Sequence, residues 1–201
     1  MKTRNILIAL LLSMTFLIVY NFSVFSYSCQ TVRNDVVRLH ILANSDAKQD
    51  QELKLKVRDA ILTETSLLTD SVSSSEEALY IISNETDALR DIAQKVVNMN
   101  GYDYTVKAET VSEYFSTRVY DGITIPAGRY NAVKITIGEG KGKNWWCMMF
   151  PSVCIPAAEG NSVEKVFNQK QKNITMNTSE YEVRFRIVEY FEQFKHLISD
   201  N

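Results

Sequence analysis

The residues that could carry out nucleophilic catalysis in this sequence are Cys147 and Ser45, and the available bases are His40 and His196. The four lie far apart along the chain, so a dyad would have to be assembled between distant elements. Ser45 lacks the Gly-x-Ser-x-Gly context of a nucleophile elbow, and Asn44-Ser45-Asp46 is what capping favours at a helix N-terminus. An exported cysteine or serine hydrolase is kept as an alternative. It requires a histidine within hydrogen-bond reach of one nucleophile.

The segment 138–144, with three glycines and two lysines, has the composition of a phosphate-binding loop. It lacks the P-loop spacing and the Gly-x-Gly-x-x-Gly fingerprint. No predicted helix follows it whose N-terminus could hold an anion. Two histidines without clustered cysteine or carboxylate ligands do not indicate a metal site. The sequence therefore predicts a flexible turn here, and no catalytic residue, cofactor or metal anywhere in the chain.

Both tryptophans stand beside two of the three cysteines, in Trp145-Trp146-Cys147 and the segment up to Cys154. Outside the cytoplasm, Cys147 and Cys154 could form a disulfide that closes a short loop. Tryptophan, methionine and phenylalanine grouped in this way are typical of interfaces. The alternative is that the tryptophans belong to the core and the cysteines stay reduced. The residues alone leave both interpretations open.

The N-terminus has the pattern of an export signal. Lys2 and Arg4 precede an almost wholly apolar run over 6–20, which as a helix is about 22 Å long and falls short of the hydrocarbon core of a bilayer. Ser26 and Ser28 are small residues at the spacing that a signal peptidase reads, so residues 1–28 are predicted to be a signal peptide cleaved after Ser28. The alternative is an uncleaved anchor, because the apolar character continues to Phe25.

The remainder, 29–201, is predicted to be a single globular extracytoplasmic domain of ordinary composition. The chain has 201 residues and a net charge of −2, which gives no basic face for nucleic acid. Contact with a membrane is expected only through the N-terminal segment.

Apolar periodicity predicts an α+β fold, with a small sheet of about four strands, mostly antiparallel, packed against about three helices. The predicted strands cover 36–43, 104–108, 115–120 and 133–137. The predicted helices cover 47–62, 76–99 and the segment from 179. A mobile connection is expected near 158–178. The last helix has an aromatic-rich face that is predicted to cover the sheet, with partner binding as the alternative. That face consists of Val183, Ile187, Tyr190, Phe191, Phe194 and Ile198.

Two long blocks of the sequence resemble the stage II sporulation protein R family. One runs from Arg38-Leu39-His40-Ile41-Leu42-Ala43-Asn44-Ser45-Asp46 through Asp50-Gln51-Glu52-Leu53 to Ala60. The other runs from Gly138-Glu139-Gly140-Lys141-Gly142-Lys143-Asn144-Trp145-Trp146-Cys147 through Phe150-Pro151 to Cys154, and Tyr181-Glu182-Val183-Arg184-Phe185 is a shorter match. With the leader, the similarity spans nearly the whole chain.

The resemblance implies an exported signalling protein of sporulation. Proteins of this family are made in the forespore and exported into the space between the forespore and mother-cell membranes. There they activate a membrane-embedded aspartic protease, which processes a mother-cell pro-sigma factor. This chain lacks the Asp-Thr/Ser-Gly of such a protease, since Asp70-Ser71-Val72 has no glycine. The proteolytic chemistry is therefore expected to belong to the partner.

A protein that activates a receptor needs a contact surface, and we expect the two resembling blocks to form one. The predicted apolar anchors are Trp145, Trp146 and Phe150, and the predicted polar anchors are Asn44, Asp46 and Arg58. A hydrophobic patch with a few polar groups is the usual composition of an interface core.

Overall fold

The computed structural model describes residues 2–120, 122–151 and 166–199. The helices are α1 (Lys2–Asn34), α2 (Lys48–Thr69), α3 (Ser75–Asn84), α4 (Thr86–Met99), α5 (Gln169–Met176) and α6 (Thr178–Ser199). The strands are β1 (Val37–Leu42), β2 (Val106–Phe115), β3 (Arg118–Tyr120), β4 (Ile123–Ile125), β5 (Gly128–Ile137) and β6 (Asn144–Phe150). The α+β class is confirmed, although the described part of the chain has six helices where about three were predicted.

The main sheet has four strands in the order β2-β5-β1-β6, and β3 and β4 form a separate two-stranded sheet. Strand β1 is parallel to β5 and antiparallel to β6, whereas β2 is antiparallel to β5. The sheet is therefore mixed, and the prediction of a mostly antiparallel sheet was wrong. Short connections in the sequence predict only the pairing of strands that follow one another along the chain. The parallel pair joins the first strand to one that follows three helices and a hairpin, so no local signal could predict it.

Three elements differ from the sequence prediction in ways that matter for the site. The helix predicted over 76–99 is divided at Glu85 into α3 and α4. Helix α5 lies inside the segment 158–178, for which a mobile connection was predicted, and it begins with a capping box between Asn168 and Gln171; residues 158–165 of that segment lie outside the described residues. The Trp-Cys segment forms β6, an edge strand that was not among the predicted strands.

Both faces of the main sheet are covered, by different layers. On one face, Leu39 and Ile41 of β1 pack with Leu53 and Val57 of α2 and with α3 and α4. The other face contributes Tyr130 and its neighbours to a second cluster. That cluster also contains Phe25, Cys29 and Val32 of α1, Phe167 and Ile174 at α5, and Phe185 and Val188 of α6. Because β1 lies between two layers, nearly all of its residues are buried, as is usual for an inner strand.

Helix α1 runs without a break from Lys2 to Asn34 and is long and apolar enough to cross a membrane. Large side chains between Ile6 and Tyr20 are exposed. In contrast, the last three turns pack into the domain, and Ser28 is only 3% exposed. An apolar N-terminal helix is compatible with either a signal sequence or an anchor.

Helix α6 is oriented opposite to the prediction. The six residues expected to cover the sheet are all exposed, while Phe185, Val188 and Glu192 on the other side face the domain. The sequence has two apolar stripes along this helix, and periodicity does not say which one is buried. The stripe that contains Phe185 is the buried one, because Phe185 meets Phe25 of α1 with ring centroids 5.2 Å apart.

Candidate partner-binding site

The polar turn after β1 is bound to the glycine-rich segment that precedes β6. The side chain of Asn44 donates from Nδ2 to Oδ2 of Asp50 at 2.9 Å, and its Oδ1 accepts the backbone N–H of Glu139 at 3.0 Å. The backbone N–H of Gly142 donates to the carbonyl oxygen of Ala43 at 2.9 Å. The two blocks, which are about ninety residues apart in the sequence, therefore form one compact unit.

Asp50, in the first turn of α2, is the buried centre of this unit, with 5% exposure. Its Oδ2 accepts from the hydroxyl of Ser45 at 2.6 Å as well as from Asn44. Burial by itself raises the pKa of this carboxyl, but hydrogen bonds from Ser45, Asn44 and Tyr104 outweigh it, and the pKa lies below its ordinary value. Asp50 is therefore held as a carboxylate, a role that the sequence analysis missed.

Asp46 fixes the end of the glycine-rich segment and does not cap α2. Its Oδ1 accepts the backbone N–H of Lys143 at 2.7 Å, and no side chain caps the helix, which begins after Ala47. Lys54 of α2 donates to the carbonyl oxygen of Lys143 at 2.8 Å. Burial lowers the pKa of Lys54 from its ordinary value. The segment that was expected to be a flexible turn is thus packed against the start of α2.

Two residues of the predicted contact surface meet beside this unit. The guanidinium carbon of Arg58 lies 4.5 Å from the centroid of the Trp145 ring, a cation–π distance. The Arg58 side chain is 20% exposed and forms an ion pair with Asp59 at 2.6 Å. The indole Nε1 of Trp145 is buried and has no hydrogen-bond partner. We call Asn44, Asp46, Arg58, Lys143 and Trp145 the corner.

The other two predicted apolar anchors lie elsewhere. Successive strand residues point to opposite faces, so Trp146 is on the far side of the sheet from Trp145. There it stacks on His40, with ring centroids 3.7 Å apart. Phe150, with 3% exposure, belongs to the hydrophobic core and is not an exposed anchor. The three aromatic residues therefore do not form the single surface that was expected.

The cysteines differ in environment. Cys147 is buried and disulfide-bonded. Cys29 is a free thiol buried in the second cluster. Cys154, the predicted partner of Cys147, lies outside the described residues, so the pairing itself stays a prediction.

His40 is a buried histidine whose two ring nitrogens are both occupied. Nδ1 lies 2.7 Å from Oε2 of Glu113, and Nε2 lies 2.9 Å from Oδ1 of Asn144. It therefore does not serve as a base for Ser45, whose hydroxyl is bound to Asp50. The hydrolase alternative required such a pairing, and in the described part of the chain His40 gives it no support.

Arg38 is the most unusual buried group of the described chain, and the sequence analysis missed it. Its guanidinium lies 4.4 Å from the Phe115 centroid and 5.0 Å from that of Tyr130. Nε donates to the carbonyl oxygen of Cys147 at 2.9 Å and Nη2 to the hydroxyl of Tyr120 at 2.7 Å, while Nη1 has no hydrogen-bond partner. Burial lowers its pKa. Strand alternation places Arg38 on the face opposite Leu39 and Ile41, but it does not show the second layer that covers that face.

Comparisons with known proteins agree on one family. The family model of stage II sporulation protein R matches residues 33–160. Stage II sporulation protein R of Bacillus subtilis (strain 168) is 34% identical over 149 residues, which are 74% of this chain and 66% of that protein. The match thus spans slightly less than two thirds of that relative. No solved structure matches the chain. The matched range contains all strands of the main sheet and the whole corner.

Proposed function

Because the chain belongs to the stage II sporulation protein R family, we propose that it is an exported signalling protein of sporulation. It acts in the space between the forespore and mother-cell membranes. There it activates a membrane-embedded aspartic protease of the mother cell, which then processes a pro-sigma factor. The observation that carries this proposal is the family match over 33–160, which begins where α1 ends and includes the folded sheet.

The N-terminal helix supports the location. Its exposed apolar run follows Lys2 and Arg4 at the N-terminus, as expected for a segment inserted into a membrane with the following domain exported. A receptor in the opposite membrane is then within reach of the domain, and the domain needs no chemistry of its own.

The corner is the surface that we assign to the receptor. An activator must bind the active state of its receptor more tightly than the inactive one, and a shift from mostly inactive to mostly active requires a few kcal/mol. Arginine and tryptophan are the residue types that most often supply such energies. Arg58 and Trp145 provide both, next to the exposed side chains of Asp46 and Lys143.

The rigidity of the corner favours the same assignment. Asn44, Ser45 and Asp46 are fixed by hydrogen bonds to Asp50 and to the segment 138–143. Less conformational entropy is therefore lost when a partner binds.

The test is a reconstitution in a non-sporulating cell that co-expresses the full chain, the partner protease and the unprocessed sigma factor. Shortening of the sigma factor on a gel is followed for the unsubstituted chain and for Arg58→Ala. Loss of a contact worth about 1.4 kcal/mol corresponds to a tenfold loss of affinity, so we expect shortening to be reduced about tenfold at limiting expression.

Arg90→Ala is the matched control. Arg90 is an exposed arginine of α4, paired with Asp87 and Asp91, and α4 packs beside β2 at the other edge of the sheet. The control variant is expected to shorten the sigma factor normally. If a folded, exported chain produces no shortening, the signalling proposal fails. If Arg58→Ala behaves like Arg90→Ala, the function stands but the corner is not the receptor surface.

A further inference from the structure

The outer face of α6 is an apolar surface that no described part of the chain covers. At 100° per residue, its six residues fall within one arc of about 100°, on the side of the helix opposite Phe185, Val188 and Glu192. Phe194 is 62% exposed and Tyr190 is 69% exposed. Such contiguous apolar faces mark sites of interaction with proteins or membranes. The outer face consists of Val183, Ile187, Tyr190, Phe191, Phe194 and Ile198.

Contacts between α6 and α1 show the direction in which this face points. Phe191, at the border of the outer face, meets Phe22 with ring centroids 5.8 Å apart. Glu192, on the inner side, meets Arg33 at 3.4 Å. Phe22 and Arg33 are separated by about 16 Å along α1, at 1.5 Å per residue. The inner side of α6 therefore lies near the C-terminal end of α1. Its outer side lies nearer to the N-terminal part of α1, which carries the exposed apolar run.

We propose that α1 is retained as a membrane anchor and that the outer face of α6 lies in the interface of the same bilayer. The apolar stretch of α1 from Ile6 to Phe22 covers about 26 Å as a helix, which is within the range of lengths that cross a bilayer. Phe22 then lies near the membrane surface, and Phe191 lies at the same level. The proposal depends on α1 crossing a membrane and is independent of the receptor.

Two further observations favour lipid as the occupant. Arg184, Arg186 and Lys195 flank the apolar arc, as basic residues do on helices that lie in a membrane interface. Within the chain, Arg186 pairs with Glu182 and Lys195 with Glu192, and Arg184 lies over the ring of Tyr181. Cleavage after Ser28 would also cut an unbroken helix at a buried residue and remove Phe22 and Phe25 from their contacts with α6. Retention of α1 keeps these contacts.

The test places a nitroxide label on the full chain in vesicles of phosphatidylethanolamine and phosphatidylglycerol. Phe194→Cys and Tyr190→Cys report on the outer face, and Gln193→Cys is the exposed polar control one residue away. Cys29 is fully buried and Cys147 is disulfide-bonded, and the unsubstituted chain, treated in the same way, gives the background label that is subtracted. The collision rate of the nitroxide with oxygen, which is enriched in lipid, is compared with its collision rate with a water-soluble nickel complex. Intact mass of the recovered chain shows whether residues 1–28 remain.

We expect the oxygen-to-nickel ratio to be several-fold higher at positions 194 and 190 than at 193, and the intact mass to include α1. Equal ratios at the three positions would place the outer face in water and overturn the proposal. Shielding of positions 194 and 190 from both reagents would also overturn it, because a protein surface would then cover the face. A folded domain recovered without residues 1–28 would overturn the retained anchor.

Discussion

Replacing Phe25 by alanine measures how far the folded domain depends on the N-terminal helix. Phe25 is 5% exposed and belongs to the second cluster. Its ring stacks on Tyr181 at a centroid distance of 5.6 Å and meets Phe185 edge-on at 5.2 Å. The variant deletes a buried aromatic ring from the junction of α1 with α6, and the packing of two elements far apart in the sequence is weakened.

The magnitude follows from the burial. Truncating a buried phenylalanine to alanine costs roughly 3–5 kcal/mol. For a domain of this size each kcal/mol lowers Tm by about 2–4 °C, so Tm should fall by roughly 6–20 °C. Phe16→Ala removes the same atoms from an exposed position of the same helix, and it should leave Tm in detergent nearly unchanged.

Thermal unfolding of the full chain in detergent micelles, followed by the fluorescence of Trp145 and Trp146, is the appropriate assay. Both tryptophans lie in β6, so the signal reports the domain and not the leader. Equal Tm values for Phe25→Ala and Phe16→Ala would refute the packing of α1 into the second cluster. The leader would then be an appendage that can be removed without loss.

Two further predictions concern Gly138 and Asp50, which both contact Asn44 of the corner. Gly138 and Gly101 both have left-handed φ, at +60° and +81°, but only at Gly138 would an added methyl group clash with Oδ1 of Asn44. Gly138→Ala should therefore lose about 1–3 kcal/mol more stability than Gly101→Ala through broken hydrogen bonds, which lowers its Tm by roughly 2–12 °C more. Equal Tm values would contradict this. The pKa of Asp50 is lowered on folding, so its stabilisation is complete above the unfolded value near pH 4 and is lost as pH falls through the folded pKa. The Tm difference between the unsubstituted chain and Asp50→Asn should shrink between pH 7 and pH 3, and a constant difference would show that Asp50 is not held as a carboxylate.

The buried stripe of α2 and the grouping of residues along β1 could be predicted from their periodicity. Leu53, Val57 and Ile61 recur at helical spacing and are buried as expected, and so are Leu39 and Ile41 at strand spacing. In α2 polar residues occupy most of the other helix face, so the pattern itself indicates which face is buried. In β1 the alternation shows only which residues share a face, because both faces of the strand are covered.

The candidate site was predicted only in part. That the two resembling blocks meet could be expected, but the division between Trp145 and Trp146 depended on recognising β6 as a strand. Once 144–150 is a strand, alternation alone places the two tryptophans on opposite faces. Methionine and cysteine at its centre give a weak strand signal, so the sequence does not predict a strand there.

The sequence by itself determined an apolar leader, an α+β domain without a basic face, and a family carried by two long blocks. The tertiary structure decided which stripe of α6 is buried, that β1 and β5 are parallel, and that Arg38 lies between two layers. Each of these depends on contacts between residues more than ninety positions apart. Local propensity and periodicity cannot encode such contacts, because the free energy that selects among them arises only when the layers pack.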